Sequence, residues 1–461
     1  MNNYYGREKI LTSYDEVNSS NIIKVLNEVY PKFQKNAKQV KYLYDYYRGK
    51  QAIYQRTKEI RPEICNKIVE NWANAIVSFK VGYLCASPVQ YVSGKSEKNL
   101  TERIDRLNDL MESHSKASID KDLIEWQMIC GTSYRSCFSD EAEIFSINSL
   151  SPEKTFAIYA MDIAETHLAS VYVAKKNENG KTVVYLTVYT PTEIITVRAF
   201  KLVSTEPNRL GYIPIMEYPA NNSRLSAIEI VIDLLDAINN LDSNRLDGVE
   251  QFIQSLMVVY NAEIGENTIN TLKEKGLIEL KSTSDCPADI KIISEQLDQN
   301  QTQTLKEDLI RRVREIVGLP AQGDGNSSDS SNNGAMLLKG GWENAETRAR
   351  ESEVMFKKSE IPFLKALFSI LTTKSIVSLN VEDVDIRFTR RNYENILIKS
   401  QVLTTMLQND KIEPKLAFQS CGLFIDPEEA YRESMEYYGR IEQSNKSNNG
   451  DVGKNNGQTE E

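Results

Sequence analysis

The chain has 461 residues, of which 41% are apolar, so its composition is that of an ordinary globular protein and wholesale disorder is excluded. At about 150 residues per domain it is too long for one compact core and predicts about three domains. The 55 Lys and Arg against 65 Asp and Glu leave a net charge of −10, which makes the chain a poor candidate for a static basic clamp on phosphate backbones but leaves room for contact with DNA that must move.

Residues 21–50 read as a helix ending at the Arg48-Gly49 turn, with Tyr42, Tyr44, Tyr46 and Tyr47 packing into a core rather than stacking on bases. Pro62 suits the first turn of a helix. After it Ile64, Ile68, Trp72, Ile76 and Phe79, three or four apart, predict an amphipathic helix ending near Lys80 and Gly82. Val89 to Val92 alternates as a short strand, and 100–130 returns to helix. From 134 to 219 strands dominate: Phe156 to Ala160, Ser170 to Ala174, Val183 to Thr190 and Glu193 to Arg198, with turns at Lys176 to Gly180 and at Gly211-Tyr212-Ile213-Pro214. This is a small antiparallel β module.

Residues 224–260 predict a helical rod whose thirty central residues would span roughly 45 Å. At 100° per residue Glu229, Asp233, Asp236, Asn240, Asn244, Asp247, Gln251 and Gln254 fall in one sector about 80° wide, which holds no Lys or Arg. Asp242 and Arg245 intrude on the apolar side, where a pair at i, i+3 is expected. A solvated face is one reading of the stripe; a face turned towards something negative that must not stick is the other. Beyond the rod, Leu277 to Leu280 and Ile290 to Ile293 read as strands, and a second helix runs from about Gln301 to Val317, stopped by Gly318-Leu319-Pro320. Ala321 to Gly334 is a Gly/Ser/Asn/Asp run that reads as a mobile loop, including Gly323, Asp324, Gly325, Asn326, Ser327, Asn333 and Gly334. A long helix follows from Ala335 to about Thr372, loosened at Gly340-Gly341 and kinked at Pro362. Ile386 to Thr389 is a strand, two or three helices cover 393–440, and 442–461 is polar enough to be disordered.

No stretch approaches the roughly 20 apolar residues of a membrane helix, and the first residues lack the apolar core of a signal peptide. Cys65, Cys85, Cys130, Cys137, Cys286 and Cys421 form no C-x-x-C pair and read as reduced, mostly buried thiols of a protein assembled in a cytoplasm. His114 and His167 lie far apart and outside any H-E-x-x-H, which argues against a histidine zinc site. Ser93-Gly94-Lys95-Ser96 resembles the end of a phosphate loop, but Val89 stands where that motif needs Gly, so a turn is the better reading. Asp140, Glu141 and Glu143 could bind Mg²⁺, yet exposed acidic runs are usually only solvated. No catalytic residue, metal or cofactor is predicted.

Several segments in order resemble the portal proteins of tailed double-stranded-DNA phages, of the type found in long-tailed phages of Gram-positive hosts. They are Tyr46 to Ile53, Asn66 to Asn71 continuing through Lys80 to Leu84, Pro88 to Tyr91, Gly131 to Tyr134, Ser151 to Glu153, Asp233 to Phe252 and Gly334 to Lys339. Cys85-Ala86-Ser87 departs from the pattern, which has a Gly before Pro88. The resemblance implies an α+β, mainly α, ring subunit with wing, stem, clip and crown, long stem helices and small β modules. It places the wing at 1–223 with a return strand in 342–392, the stem at 224–262 and 301–318, the clip at 263–300, a channel-facing loop at 319–341 and a helical crown at 393–441. The implied protein is a capsid-vertex ring of twelve copies through which double-stranded DNA passes without sequence specificity. It would dock the terminase large subunit, the major capsid and scaffolding proteins and a head-completion adaptor, with no membrane. The polar stripe would then be a low-friction wall, with Lys339 the basic group nearest the loop. Two other classes compete with it: a Mg²⁺-dependent nucleic-acid enzyme using Asp140 and Glu143, and a capsid adaptor that never touches DNA.

Overall fold

The computed structural model describes residues 6–59, 61–94, 98–139, 143–253, 256–260, 289–293, 299–320, 332–389, 396–424 and 427–451. They form two compact units, the first from Met1–Tyr44, Ala75–Glu229 and Glu343–Glu461, the second from Asp45–Asn74 and Ile230–Trp342.

The first unit is organised by helix α1 (Ile22–Tyr47) lying on a six-stranded sheet. In spatial order the strands are β1 (Leu11–Thr12), β5 (Thr155–Ala160), β6 (His167–Glu178), β7 (Lys181–Tyr189), β8 (Glu193–Arg198) and β9 (Lys201–Pro207). The β1–β5 pair is parallel and the remaining pairs are antiparallel. Ile22, Val25, Leu26, Val29 and Phe33 recur at helical spacing on α1 and are buried against Phe156, Ile158, Val171, Val173, Leu186 and Val188, which alternate along the strands. Two periodicities, three-to-four and two, thus meet in one core, and Phe33 stacks on Phe156 at 4.4 Å between centroids. Tyr44 stacks on Trp126 at 5.1 Å and Tyr46 is fully buried, the packing role read from the sequence.

The expected β module is larger than its four strands. A second, three-stranded antiparallel sheet has the order β10 (Ile215–Pro219), β3 (Thr132–Phe138), β4 (Ser146–Leu150). The expected helix at 100–130 is two, α3 (Lys98–Ser113) and α4 (Lys116–Cys130), because Ser115 takes a left-handed φ of 56° between them. Helix α4 ends at Gly131, whose φ is +77° and where a Cβ would lie 2.0 Å from the Arg224 carbonyl oxygen, so only glycine fits. Strand β2 (Gln90–Ser93) pairs antiparallel with β13 (Val384–Arg387).

Helix α7 (Asn332–Thr373) runs unbroken past Gly340-Gly341 and Pro362, beginning before the expected Ala335. Helices α8 (Ile396–Leu407), α9 (Pro414–Cys421) and α10 (Pro427–Asp451) fill the C-terminal region. Residues 442–451, expected to be disordered, continue α10. Pro427 at its first position and Glu428 and Glu429 in its first turn favour the helix, and each added residue then fixes only itself for one more hydrogen bond. Residues 452–461 lie outside the described ones. No helix among the described residues is long and apolar enough to cross a membrane, and Cys65, Cys85, Cys130, Cys137 and Cys421 are free thiols.

Strand β3 carries Arg135 into the interior with no exposed surface. Its Nη1 donates to both carboxylate oxygens of Glu360 on α7 at 2.9 Å, and its Nη2 donates to Asp120 on α4. Tyr218 and Tyr91 donate their hydroxyls to Glu360 at 2.7 and 2.6 Å. Lys116 completes the cluster by donating to Asp120 and to the Val89 carbonyl. Burial alone would raise the Glu360 carboxyl, but the Arg135 charge and the two hydroxyls outweigh it and hold the group ionised. A buried Arg135–Glu360 ion pair therefore sits beside Asp120 and Lys116, whose ammonium burial pushes down to about 7. Removing one member leaves its partner charged and dry, at about 3–5 kcal/mol. Glu360→Ala is expected to lower the stability of the subunit by that order in urea unfolding, with Glu360→Gln milder. Wild-type midpoints for both variants would show that the cluster does not tie α7 to the sheet.

Candidate nucleic-acid interface

The second unit contains helices α5 (Ile232–Ile253) and α6 (Gln299–Val317), and strands β11 (Leu256–Tyr260) and β12 (Asp289–Ile293), which pair antiparallel. The predicted rod through 260 therefore stops at Ile253, and the β-branched run Val258-Val259 is strand. The expected strand at Ile290 to Ile293 is found, whereas Leu277 to Leu280 lies outside the described residues.

A second correction concerns 61–71. Helix α2 covers only Trp72–Leu84; Ile64 closes a turn, its amide donating to the Arg61 carbonyl at 3.0 Å, and Ile68 sits in extended chain that runs antiparallel along α5. The backbone N–H groups of Asn66, Ile68 and Glu70 donate to Asp247 Oδ1 (2.7 Å), Ser243 Oγ (3.0 Å) and Asn239 Oδ1 (2.8 Å). The match is geometric: two residues of extended chain advance about 6.6 Å, and four residues of helix about 6.0 Å. Alternate amides thus meet acceptors spaced four apart. Asn239 Nδ2 in turn donates to Gln51, and the Tyr46 hydroxyl donates to Asp236 at 2.9 Å.

Charge reinforces this ladder. Asp247 is nearly inaccessible and forms ion pairs with Arg56 at 2.8 Å and with Lys58. Burial pushes its carboxyl up, but bonds from Lys58, Asn66 and Arg56 win and hold it at about 2. Burial and the neighbouring Asp233 charge move Asp236 up despite the Tyr46 hydrogen bond. Lys306 of α6 bridges Glu70 and Asp242, the latter at 2.9 Å, and the Arg314 guanidinium lies over Trp72 at 5.5 Å. The anticipated Asp242–Arg245 pair is not made: Asp242 takes Lys306, and Arg245 donates to Gln303 at 2.8 Å. Across the ~10 Å between packed helices, an oppositely charged side chain on α6 outcompetes a neighbour on the same helix.

The predicted polar sector is split by these contacts. Glu229, in the first unit, is buried and paired with Arg7. Asp236 and Asp247 are taken up by the ladder, so these three are held within their units rather than presented on a free face. Asp233, Asn240 and Asn244 are exposed, with Arg56 donating to Asn244. Gln251 lies in α5, and Gln254 falls outside the described residues, as do Gly323, Asp324, Gly325, Asn326 and Ser327. Asn333, Gly334 and Lys339 belong to α7 rather than to a loop. Asn239 and Ser243 were missed. Their signal was available, since small polar residues four apart on the buried side of a helix call for a line of donors.

Asp140 and Glu141 also lie outside the described residues, and no group of three or more His, Cys, Asp or Glu among the described ones is placed to hold a metal. His114 stacks on Phe145 at 4.1 Å. His167 is pushed down to about 4 by burial, and it meets Ser170 Oγ at 2.9 Å.

Ser243→Ala strands the Ile68 amide and is expected to cost about 1–3 kcal/mol in thermal unfolding, more than an exposed Asn240→Ala. Asp247 has a folded pKa below the ordinary ~3.9, so its carboxylate favours folding above about pH 4, and that gain is lost as the pH falls towards 2. Asp247→Asn should therefore lower the urea midpoint at neutral pH and matter progressively less between about pH 4 and pH 2. A penalty unchanged across that window would contradict the ion pairing.

No curated protein matches the chain. The family profile described as "Phage portal protein, SPP1 Gp6-like" matches residues 26–446, which takes in both units, the α5 ladder and the buried Arg135 cluster. With so little of its 461 residues outside that match, the chain belongs to the family of phage portal proteins.

Proposed function

We propose that this protein forms a ring, of twelve copies, at one capsid vertex, and that double-stranded DNA enters and leaves through its bore. Family membership supports a portal function, an oligomeric ring and a place in the phage capsid. The finer reading rests on one observation: from Ile230 to Val249 the exposed residues are Ile230, Asp233, Asn240, Asn244, Leu246 and Val249, with no cation among them.

DNA carries one negative charge per ~1.7 Å of axis, and each Lys or Arg set against it exchanges condensed counterions for a contact that must break before the duplex can advance. Amide and carboxylate groups stay hydrated instead. Their repulsion is screened over about 8 Å at physiological salt, so it prevents sticking without preventing entry. In this reading Asp233, Asn240 and Asn244 line the bore. Leu246, Val249 and, on α6, Leu305 and Ile316 are exposed in the single chain and would be covered by neighbouring copies. The stem would comprise α5, α6 and the segment 45–74 that packs with them, leaving the first unit as wing and crown. The terminase large subunit, scaffolding and major capsid proteins and a head-completion adaptor are the partners such a ring would dock.

Replacing Asp233, Asn240 and Asn244 together by Lys is expected to leave annular particles visible by negative stain while slowing DNA packaging into heads. A sliding barrier higher by about 1.4 kcal/mol corresponds to roughly tenfold. Wild-type packaging rates in that triple variant would remove the low-friction wall. Absence of annular particles from the unmodified protein would remove the ring.

A further inference from the structure

A cavity of about 580 Å³ opens in the first unit, with Met216 and Pro219 of β10 and Met355, Lys358 and Pro362 of α7 in its lining. That volume is in the range of clefts that take up a ligand or several side chains. One wall is the β5–β6 turn, through Ala164 and Glu165. The turn is braced: the Thr166 amide and hydroxyl donate to Asp162 at 2.9 and 2.6 Å, and the Ala160 amide donates to the Thr166 carbonyl at 2.9 Å. It holds Met161 and Ile163 in the open, 60% and 108% exposed. On α7, exposed Val354 and Ile361 share a sector about 60° wide with Lys358 at 100° per residue. Among the cations of the lining, Arg7, Lys9 and Arg224 already pair with Glu229, Glu165 and Glu217. Lys358 is exposed and makes no hydrogen bond or ion pair among the described residues. The cleft thus offers an apolar floor, apolar rims and one uncommitted ammonium, the composition of an interaction surface.

The same unit carries a surface of the opposite kind. From Met435 to Ile441 every residue of α10 is exposed, about two turns of helix with no packing on any side. Helices draw most of their stability from a packed apolar face, yet Met435, Tyr437, Tyr438 and Ile441 all stand in the open here. Beside them the exposed carboxylates of Glu433 and Glu436 make no ion pair among the described residues. An apolar helix end with free carboxylates complements an apolar cleft with a free ammonium. Both surfaces are open on the single chain, so the chain does not satisfy one with the other. Because they are different patches, a contact between them in two copies is heterologous. It repeats from copy to copy and closes into a ring where the rotation allows.

We propose that the end of α10 of one copy docks in this cleft of the next, with Met435 and Tyr438 against Met216 and Met355 and with Glu436 facing Lys358. The closing of such contacts into a ring rests on the reading given under the proposed function. Sedimentation velocity over a dilution series of the full-length protein reads the concentration at which rings fall apart. Lys358→Glu and Glu436→Lys should each raise it about tenfold, and the two together should return it towards the wild-type value. Both positions are exposed, so neither variant should lower the melting temperature of the dissociated subunit. Benzoylphenylalanine in place of Tyr438 should, on illumination, join chain to chain at peptides containing Met216 or Met355. The proposal is overturned by unchanged dissociation in both single variants, by a double variant no tighter than either, or by cross-links that land only on a neighbour's α10 or within one chain. The ring reading fails separately. Interchain cross-links to those peptides in a protein without annular particles would keep the contact and remove the ring, and annular particles cross-linked elsewhere would keep the ring and remove the contact.

Discussion

Three backbone amides two residues apart meet three side chains four residues apart, and the second unit is organised around that coincidence of rises. An extended segment laid along a helix ordinarily finds no acceptors, because helical carbonyls are already used within the helix. Here Asn239, Ser243 and Asp247 act as a row of substitute carbonyls for the 66–70 strand. The consequence reaches the outer surface of the helix. Once the inner side is committed to the strand and to Lys306, what remains for anything outside the chain is the polar Asp233, Asn240 and Asn244 side and the exposed apolar Leu246 and Val249.

The first unit solves a different problem. Its large sheet packs on α1 through apolar periodicity, yet the smaller sheet encloses a guanidinium, an ammonium and two carboxylates. Buried ion clusters of this sort contribute little net stability compared with a well-packed apolar replacement of the same volume. What they add is selectivity of position. An apolar α7 could slide by a turn against the β10-β3-β4 sheet with modest loss, whereas a carboxylate that must meet Arg135, Tyr91 and Tyr218 at once has one acceptable setting.

Much of this was legible in the sequence where burial follows a simple period. The α1 stripe, the strands β5 to β8 and the helix α6 all follow the three-to-four or two-residue repeat of their apolar residues, and the structure places them within a few residues of expectation. The misreadings have a shared cause. Ile64, Ile68 and Trp72 happen to be four apart, which imitates a helix, but the partners that draw 66–70 out along α5 lie some 170 to 180 residues later in the chain. Thr132–Phe138 was not recognised as a strand because Ser133, Arg135 and Ser136 are polar, and what makes them tolerable inside is Glu360, 225 residues away from Arg135. The polar sector of α5 was visible as a sector, but its division into a paired edge and an open edge depends on Arg7, Arg56 and Lys58, which no local pattern connects to it. Membership of a family was easier to see than either, since ordered similarity along the chain does not require knowing which residues touch.

The ladder also sets an unusual rule for which codons can drift. Because every rung uses a main-chain hydrogen, none of positions 66, 68 and 70 accepts proline, which has no hydrogen to give, and only position 68 is otherwise free of side-chain demands, since Asn66 also donates its amide to Asp247 and Glu70 pairs with Lys306. The intervening positions 67 and 69 donate nothing to the helix, and an imino ring there would leave the row of bonds whole. On α5 the constraint is reversed: the backbone is indifferent, and the identities at 239, 243 and 247 are what cannot wander. Two stretches distant in the gene are thereby bound to opposite kinds of constancy by one line of contacts.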